Sequence, residues 1–309
     1  MRKTCLDAVY ELAKRDPRVV FIGSDLGIGT LKQFKAEFPQ RFFMEGVSEA
    51  HIVTMAAALA MEGKVVYINT IATFLTRRCY EQICLDLSLH HTNVRLIGSG
   101  GGLVYAPLGP THEAVEDIAI LRCLPRMTIV APSDAEEMKR LMPQTLDWQG
   151  PIYIRLGKGG DPVVSRPELG FQIGKAILLR EGADALIVST GVTLQVALGA
   201  AQQLEAAGVR AGVLHLHTVK PLDHAAVLAQ AGRVRALVTV EEHTTKGGLG
   251  SAVAEVLAEA NLATPPRFKR LGLPDAFPDK YGSQASLMAR YGLTPEGVAA
   301  EVRNLLGSA

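Results

Sequence analysis

Little in this 309-residue chain suggests a disulfide scaffold, a membrane segment or a polyanion-binding surface. Its four cysteines, Cys5, Cys79, Cys84 and Cys123, include no Cys-x-x-Cys pair, and none lies at zinc-ligand spacing from a histidine. Buried, reduced thiols are expected. Aromatic residues make up 6% and tryptophan occurs once. The formal net charge of +1 leaves no excess basic surface for nucleic acid or an anionic membrane. No apolar run reaches membrane-spanning length, and Met1-Arg2-Lys3-Thr4 leads into an amphipathic helix rather than a signal peptide. A cytoplasmic protein is expected. Hydrophobic residues at 48% and charged residues at 20% suit a globular chain long enough for two full cores.

Strand-like and helix-like segments alternate through the first half. Val19–Ile22, Lys64–Ile68, Val94–Ile97, Met127–Val130 and Ile152–Arg155 read as buried strands. In Ser48–Met61, residues Ile52, Met55, Ala56 and Leu59 fall on one helical face. Near-continuous apolar strands alternating with helices imply a parallel sheet covered on both sides. Residues 157–170, with four glycines and two prolines, read as a linker. The alternation then restarts, with strands at Ala185–Ser189, Val209–Leu214, Leu237–Glu241 and Phe268–Leu273. Helices are expected at Leu194–Ala207, Ala225–Ala231, Ser251–Ala260 and Pro295–Leu306. The expected fold is α/β, with two domains at 1–160 and 171–309, each a mostly parallel sheet with helices on both faces.

Several residues stand out, each with a plain reading beside a functional one. Glu49 opens an apolar helix. Ser48 as its cap and an acid in the first turn would satisfy helix grammar alone. A carboxyl pressed among apolar residues is also held toward its neutral form and can hydrogen-bond a ring nitrogen. Phe74, Arg77 and Tyr80, three apart, share one helix face. They form either a core stripe or a stacking platform for a flat heterocycle. Ser99-Gly100-Gly101-Gly102 follows a strand, but no helix is expected to start after it, so the segment does not read as a dinucleotide fingerprint. Its glycines suit close backbone approach to a ligand or partner. Gly109-Pro110-Thr111-His112 places a histidine at a turn before a helix expected over Glu113–Leu121. Arg155 at a strand end and Lys158 beyond it are cations placed to hold a phosphate, and Arg2 is a third. Gly247-Gly248-Leu249-Gly250 suits tight strand-to-helix packing.

Taken together, these segments resemble the transketolase and deoxyxylulose-phosphate synthase family. Arg2-Lys3 and Ser24-Asp25-Leu26 resemble its opening motifs, and Gly46-Val47-Ser48-Glu49 its catalytic-glutamate motif. Thr73-Phe74-Leu75 and Gly109–His112 are similar to its cofactor-stacking and substrate-binding segments. Leu121-Arg122 through Pro132-Ser133-Asp134, Thr218–Asp223 and Val240–His243 continue the likeness. It spans essentially the whole chain but only the last two of the family's three domains. The Gly-Asp-Gly signature that binds Mg²⁺ and the cofactor's diphosphate is absent.

The resemblance therefore implies the C-terminal subunit of a split enzyme that shares thiamine diphosphate with a separate diphosphate-binding subunit, which holds the Mg²⁺. Self-association into a heterotetramer of two plus two is implied. The implied reaction passes a two-carbon ketol unit from a ketose phosphate to an aldehyde acceptor. Glu49 would hydrogen-bond the aminopyrimidine ring, and Phe74, Arg77 and Tyr80 would line its pocket. His112 would contact substrate hydroxyls or shuttle a proton. Arg2 and either Arg155 or Lys158 would hold the substrate's anion. Ordinary transketolases carry an aromatic residue at position 77, where the synthase branch has Arg, and a histidine and an aspartate at positions 100 and 108. Gly100 and Leu108 remove two polar contacts to sugar hydroxyls, worth several kcal/mol of recognition if not replaced. The alternatives are a synthase using pyruvate, a 2-oxoacid dehydrogenase beta-type subunit and a non-catalytic scaffold.

Overall fold

The computed structural model describes residues 1–24, 29, 31–157 and 159–307. Lys158, Asp25 and Leu26, singled out above, lie outside the described residues. The chain forms two layered α/β units. In the first half run α1 (Arg2–Arg15), β1 (Val19–Gly23), α2 (Lys32–Glu37), β2 (Phe42–Met44), α3 (Glu49–Met61), β3 (Val65–Ile71), α4 (Ala72–Thr76) and α5 (Tyr80–Gln82). A π-helical turn, Ile83–Leu89, leads to β4 (Val94–Ser99), α6 (Asp117–Arg122), β5 (Thr128–Val130), α7 (Ala135–Asp147) and β6 (Ile152–Leu156). The second half holds β7 (Ile177–Arg180), β8 (Ala185–Ser189), α8 (Leu194–Ala206), β9 (Ala211–His215), β10 (Thr218–Lys220) and α9 (His224–Ala231). It ends with β11 (Ala236–Thr244), α10 (Leu249–Glu259), β12 (Arg267–Leu273), α11 (Gln284–Arg290) and α12 (Pro295–Leu306).

The first sheet has seven strands in the order β10-β5-β6-β4-β3-β1-β2, all parallel except β10. Alternation along β1 explains its two-sided burial. Val19 and Phe21 pack with Leu6, Val9, Leu141 and Met142 of α1 and α7. Val20 and Ile22 pack with Ile52, Val53 and Ala56 of α3 and with Leu121 of α6. Each such side chain contributes roughly 1.5–3 kcal/mol when fully buried. The second sheet runs β12-β11-β8-β9-β7, with only β7 antiparallel. One core lies between it and α8 and α12, the other between it and α9 and α10.

The halves interlock. β10 leaves the second half to pair with β5 at the edge of the first sheet. Glu137 and His215, both fully buried, meet at 3.1 Å across the junction. This carboxyl is held down to about 2: burial opposes the shift, and His215 and the Ser133 amide outweigh it. The stretch read as a linker is anchored as well. The Asp134 carboxylate, which caps α7, also accepts from the amides of Val164 and Ser165.

Three expectations need correction. Ser48 stands at the N-terminus of α3 but makes no side-chain cap; its hydroxyl donates to the Glu45 carbonyl at 2.8 Å. The helix expected from Glu113 starts only at Asp117, because Ala114 is drawn into bridges with Gly101 and Gly102. Not all the thiols are buried. Cys5 and Cys79 are, and burial pushes both up to about 12, but Cys84 is half-buried and Cys123 exposed. No helix of the described residues is long and apolar enough to cross a membrane.

Candidate active site

In a parallel sheet the strand ends share one edge, and the loops leaving that edge converge. Here Ser24 follows β1, Glu49 lies beyond β2, Ala72–Phe74 follow β3, Gly100–His112 follow β4 and Gly157 follows β6. Glu49 is in phase with the buried stripe Ile52, Val53 and Ala56 of α3, which carries its carboxyl inward. The residue is 2% exposed.

An isolated buried carboxylate is costly, and this one has a partner that the sequence reading did not single out. Arg78 donates from Nη1 to Glu49 Oε2 at 2.6 Å. The same guanidinium lies over the Phe74 ring, 4.4 Å from its centroid. Phe74 in turn meets the His112 ring edge-on at 5.1 Å. Glu49, Phe74 and His112 therefore stand in one contiguous cluster, with Arg78 between the acid and the aromatic face. No pattern in the sequence marked Arg78, because its ion pair depends on how α3 and α4 cross.

The shared face expected of Phe74, Arg77 and Tyr80 is broken. α4 ends at Thr76, residues 77–79 turn, and the Cys79 thiol donates to the Phe74 carbonyl at 3.4 Å. Tyr80 begins a new helical turn and packs, partly buried, against the core that holds Leu75, Cys79 and Ile83. The in-plane bonds of Arg77 are taken up by its neighbours. It pairs with the Glu116 carboxylate through Nε and Nη2 and donates to the carbonyls of Pro110 at 3.5 Å and Glu113 at 2.7 Å. These contacts straddle His112, so Arg77 braces the turn that carries the histidine. Thr73 adds a bond to the His112 carbonyl at 3.2 Å, and Thr111 Oγ1 lies 2.9 Å from His112 Nδ1. Next in the chain, the fully buried Glu113 carboxyl has no hydrogen-bond partner among the described residues; burial pushes it up to about 7 against the pull of Arg77.

Arg155 also departs from expectation. Its side chain is 7% exposed and is taken up within the molecule. Nε donates to Asp117 at 2.8 Å, and Nη2 to the carbonyls of Ala114 and Glu242 at 3.0 and 2.9 Å. Those bonds join the two halves and commit Nε and Nη2 to partners within the molecule. Arg2 remains half-buried on the first turn of α1. Its neighbour Met1 packs on Gly157, so the start of α1 lies beside the loop after β6. The glycine run makes room for this chain's own side chains. A Cβ at Gly100 would collide with the Tyr105 ring, and one at Gly102 with the Glu242 carboxyl. Both glycines have φ near +70 to +80° (+79° and +67°), a region other residues avoid. Gly100 thus offers no side chain, and Tyr105 occupies that space. Glu242 accepts from the Leu103 amide at 2.7 Å and from Gln284 at 2.9 Å, tying the second half to the Gly100–His112 loop. Gly248 lies tight against Glu241, which accepts from the amides of Leu249 and Gly250 at the start of α10, as the packing reading requires. Among the described residues no group of three or more His, Cys, Asp or Glu side chains could hold a metal ion.

A buried acid, an aromatic face and a braced histidine at a sheet edge define a site. Family models place the chain. Residues 1–160 match the pyrimidine-binding domain of transketolase and residues 174–298 its C-terminal domain. The chain belongs to the transketolase family. It is 41% identical over 97% of its length, and 87% of the relative's, to a putative uncharacterized transketolase family protein, y4mN, of Sinorhizobium fredii. It is 38% identical to the 6-deoxy-6-sulfo-D-fructose transketolase subunit SqwH of Clostridium sp., over 96% of this chain and 92% of that one. A solved split-gene transketolase, an inactive β4 tetramer, superposes with a TM-score of 0.90 at 36% identity, covering 99% and 98% of the two chains. The 1-deoxy-D-xylulose-5-phosphate synthase of Syntrophotalea carbinolica is 40% identical over 96% of this chain, which spans 46% of that enzyme. The molecule is thus a transketolase-type subunit, a transferase of a thiamine-diphosphate-dependent family.

Proposed function

We propose that this chain supplies the ring-binding half of a split transketolase active site, completed by a second subunit that grips the cofactor's diphosphate through Mg²⁺. The observation that carries this reading is the flat guanidinium held between Glu49 and Phe74. A planar, nitrogen-bearing group fits there, and an aminopyrimidine ring is such a group. Thiamine diphosphate, when bound, serves as the electron sink that lets a ketose carbon–carbon bond break. Glu49 holds a proton at the ring nitrogen, and Phe74 offers the stacking face. His112, braced by Arg77 and Thr73, hydrogen-bonds substrate hydroxyls or moves a proton. Arg2 meets the substrate's anion, and Lys158 is the other basic candidate that the sequence offers for it. Partner dependence is supported by the split-subunit relatives and by the inactivity of the β4 assembly of the solved split-gene enzyme. A two-plus-two heterotetramer acting on sugar phosphates follows from this reading.

Copurified with a partner carrying Gly-Asp-Gly and a downstream Asn, the chain should turn over a ketose phosphate donor. Glu49→Ala should lower that rate by roughly 10²–10⁴-fold. Unchanged turnover would remove Glu49 from the mechanism. A second reading, a synthase using pyruvate, is favoured by Arg77 and by the synthase relatives. Comparing pyruvate with ketose phosphates as donor separates the two.

A further inference from the structure

The place taken by Arg78 has a consequence for loading. Its guanidinium is bonded to Glu49 at 2.6 Å and lies 4.4 Å from the Phe74 centroid, while the edge of His112 already meets that ring. A flat ring that stacks on Phe74 and bonds Glu49 needs the volume this guanidinium fills. We infer that Arg78 is a placeholder cation: it occupies the ring slot of the unloaded subunit, and the cofactor's aminopyrimidine enters by displacing it. This rests on the reading of Glu49 and Phe74 given above.

The physics favours such a device. Glu49 is 2% exposed, and an ionised carboxylate there with no counter-charge would be strongly destabilising. Arg78 satisfies it until a ring nitrogen arrives. Arginine suits the task because its planar, delocalised head both pairs with a carboxylate and stacks on an aromatic face. Arg78 can also leave readily. Its side chain is 47% exposed, and it sits in the 77–79 turn between α4 and α5, so swinging outward breaks no helix. Among the described residues, Glu49 is its hydrogen-bond partner. Competition of this kind lowers apparent cofactor affinity by the fraction of subunits whose slot is open.

The test is calorimetric titration of the reconstituted two-subunit complex with thiamine diphosphate and Mg²⁺, for the wild type, Arg78→Ala and Arg78→Lys. Arg78→Ala should bind roughly three- to tenfold more tightly, the combined weight of an exposed-side ion pair and a cation–π contact. Arg78→Lys, which keeps the charge but not the plane, should fall between. Unchanged or weaker binding by Arg78→Ala, with an unaltered thermal melt, overturns the placeholder and makes Arg78 a support for Glu49. A wild-type complex that binds no thiamine diphosphate sinks the underlying reading as well.

Discussion

At the scale of single residues, position in a pattern and role in the site part company. Glu49 was legible because an acid in an apolar helical run is costly and calls for a reason. Arg77 and Arg78, adjacent and chemically identical, have different duties that only the turn between α4 and α5 reveals. Arg77 faces the backbone around His112, while Arg78 faces Glu49. If Arg77 positions the histidine, Arg77→Ala should raise KM for the sugar and lower kcat by about tenfold each, since small misplacements of catalytic groups are expensive. Arg77→Lys should rescue little, because an ammonium cannot match the forked contact with Glu116. Steady-state kinetics of the reconstituted complex checks this, and unchanged KM and kcat would contradict it. The internal partners of Arg155 were not legible in the sequence. A cation at a strand end suggests a ligand, and nothing local shows that Asp117, thirty-eight residues away in sequence, holds it.

At the scale of elements, the central parallel strands β1, β3, β4, β6 and β8 were legible because each is a short apolar run buried on both sides. β2, β7 and β10 were not: they are only three or four residues long, and two of them pair antiparallel at sheet edges. The junction between β11 and the loop after β4 lends itself to a pH experiment. Burial of Glu242 pushes its carboxyl up to about 7 from 4.5, with Arg155 opposing. The folded state therefore keeps a proton that the unfolded chain has lost, so stability falls as pH rises from about 4.5 to 7. The slope is about 1.4 kcal/mol per pH unit for one group. Glu242→Gln keeps an acceptor for the Leu103 amide and removes that slope. Its melting temperature should match the wild type near pH 4.5 and exceed it above pH 7. Melting curves across that range decide the matter; a constant difference at every pH would count against it.

At the scale of the whole molecule, two α/β units locked by β10, by the Glu137–His215 contact and by Arg155 present loops from one sheet edge. The loops there carry a buried acid, an aromatic ring and a braced histidine. The chain carries no Gly-Asp-Gly segment, and its described residues hold no cluster suited to a metal. The account's central claim is a division of labour: ring recognition here, diphosphate recognition on a partner. Calorimetric titration of thiamine diphosphate with Mg²⁺ into this chain alone, the partner alone and the mixture tests it most directly. Strong binding should appear only in the mixture, and isolated chains of this protein binding the cofactor as tightly as the mixture would contradict the account.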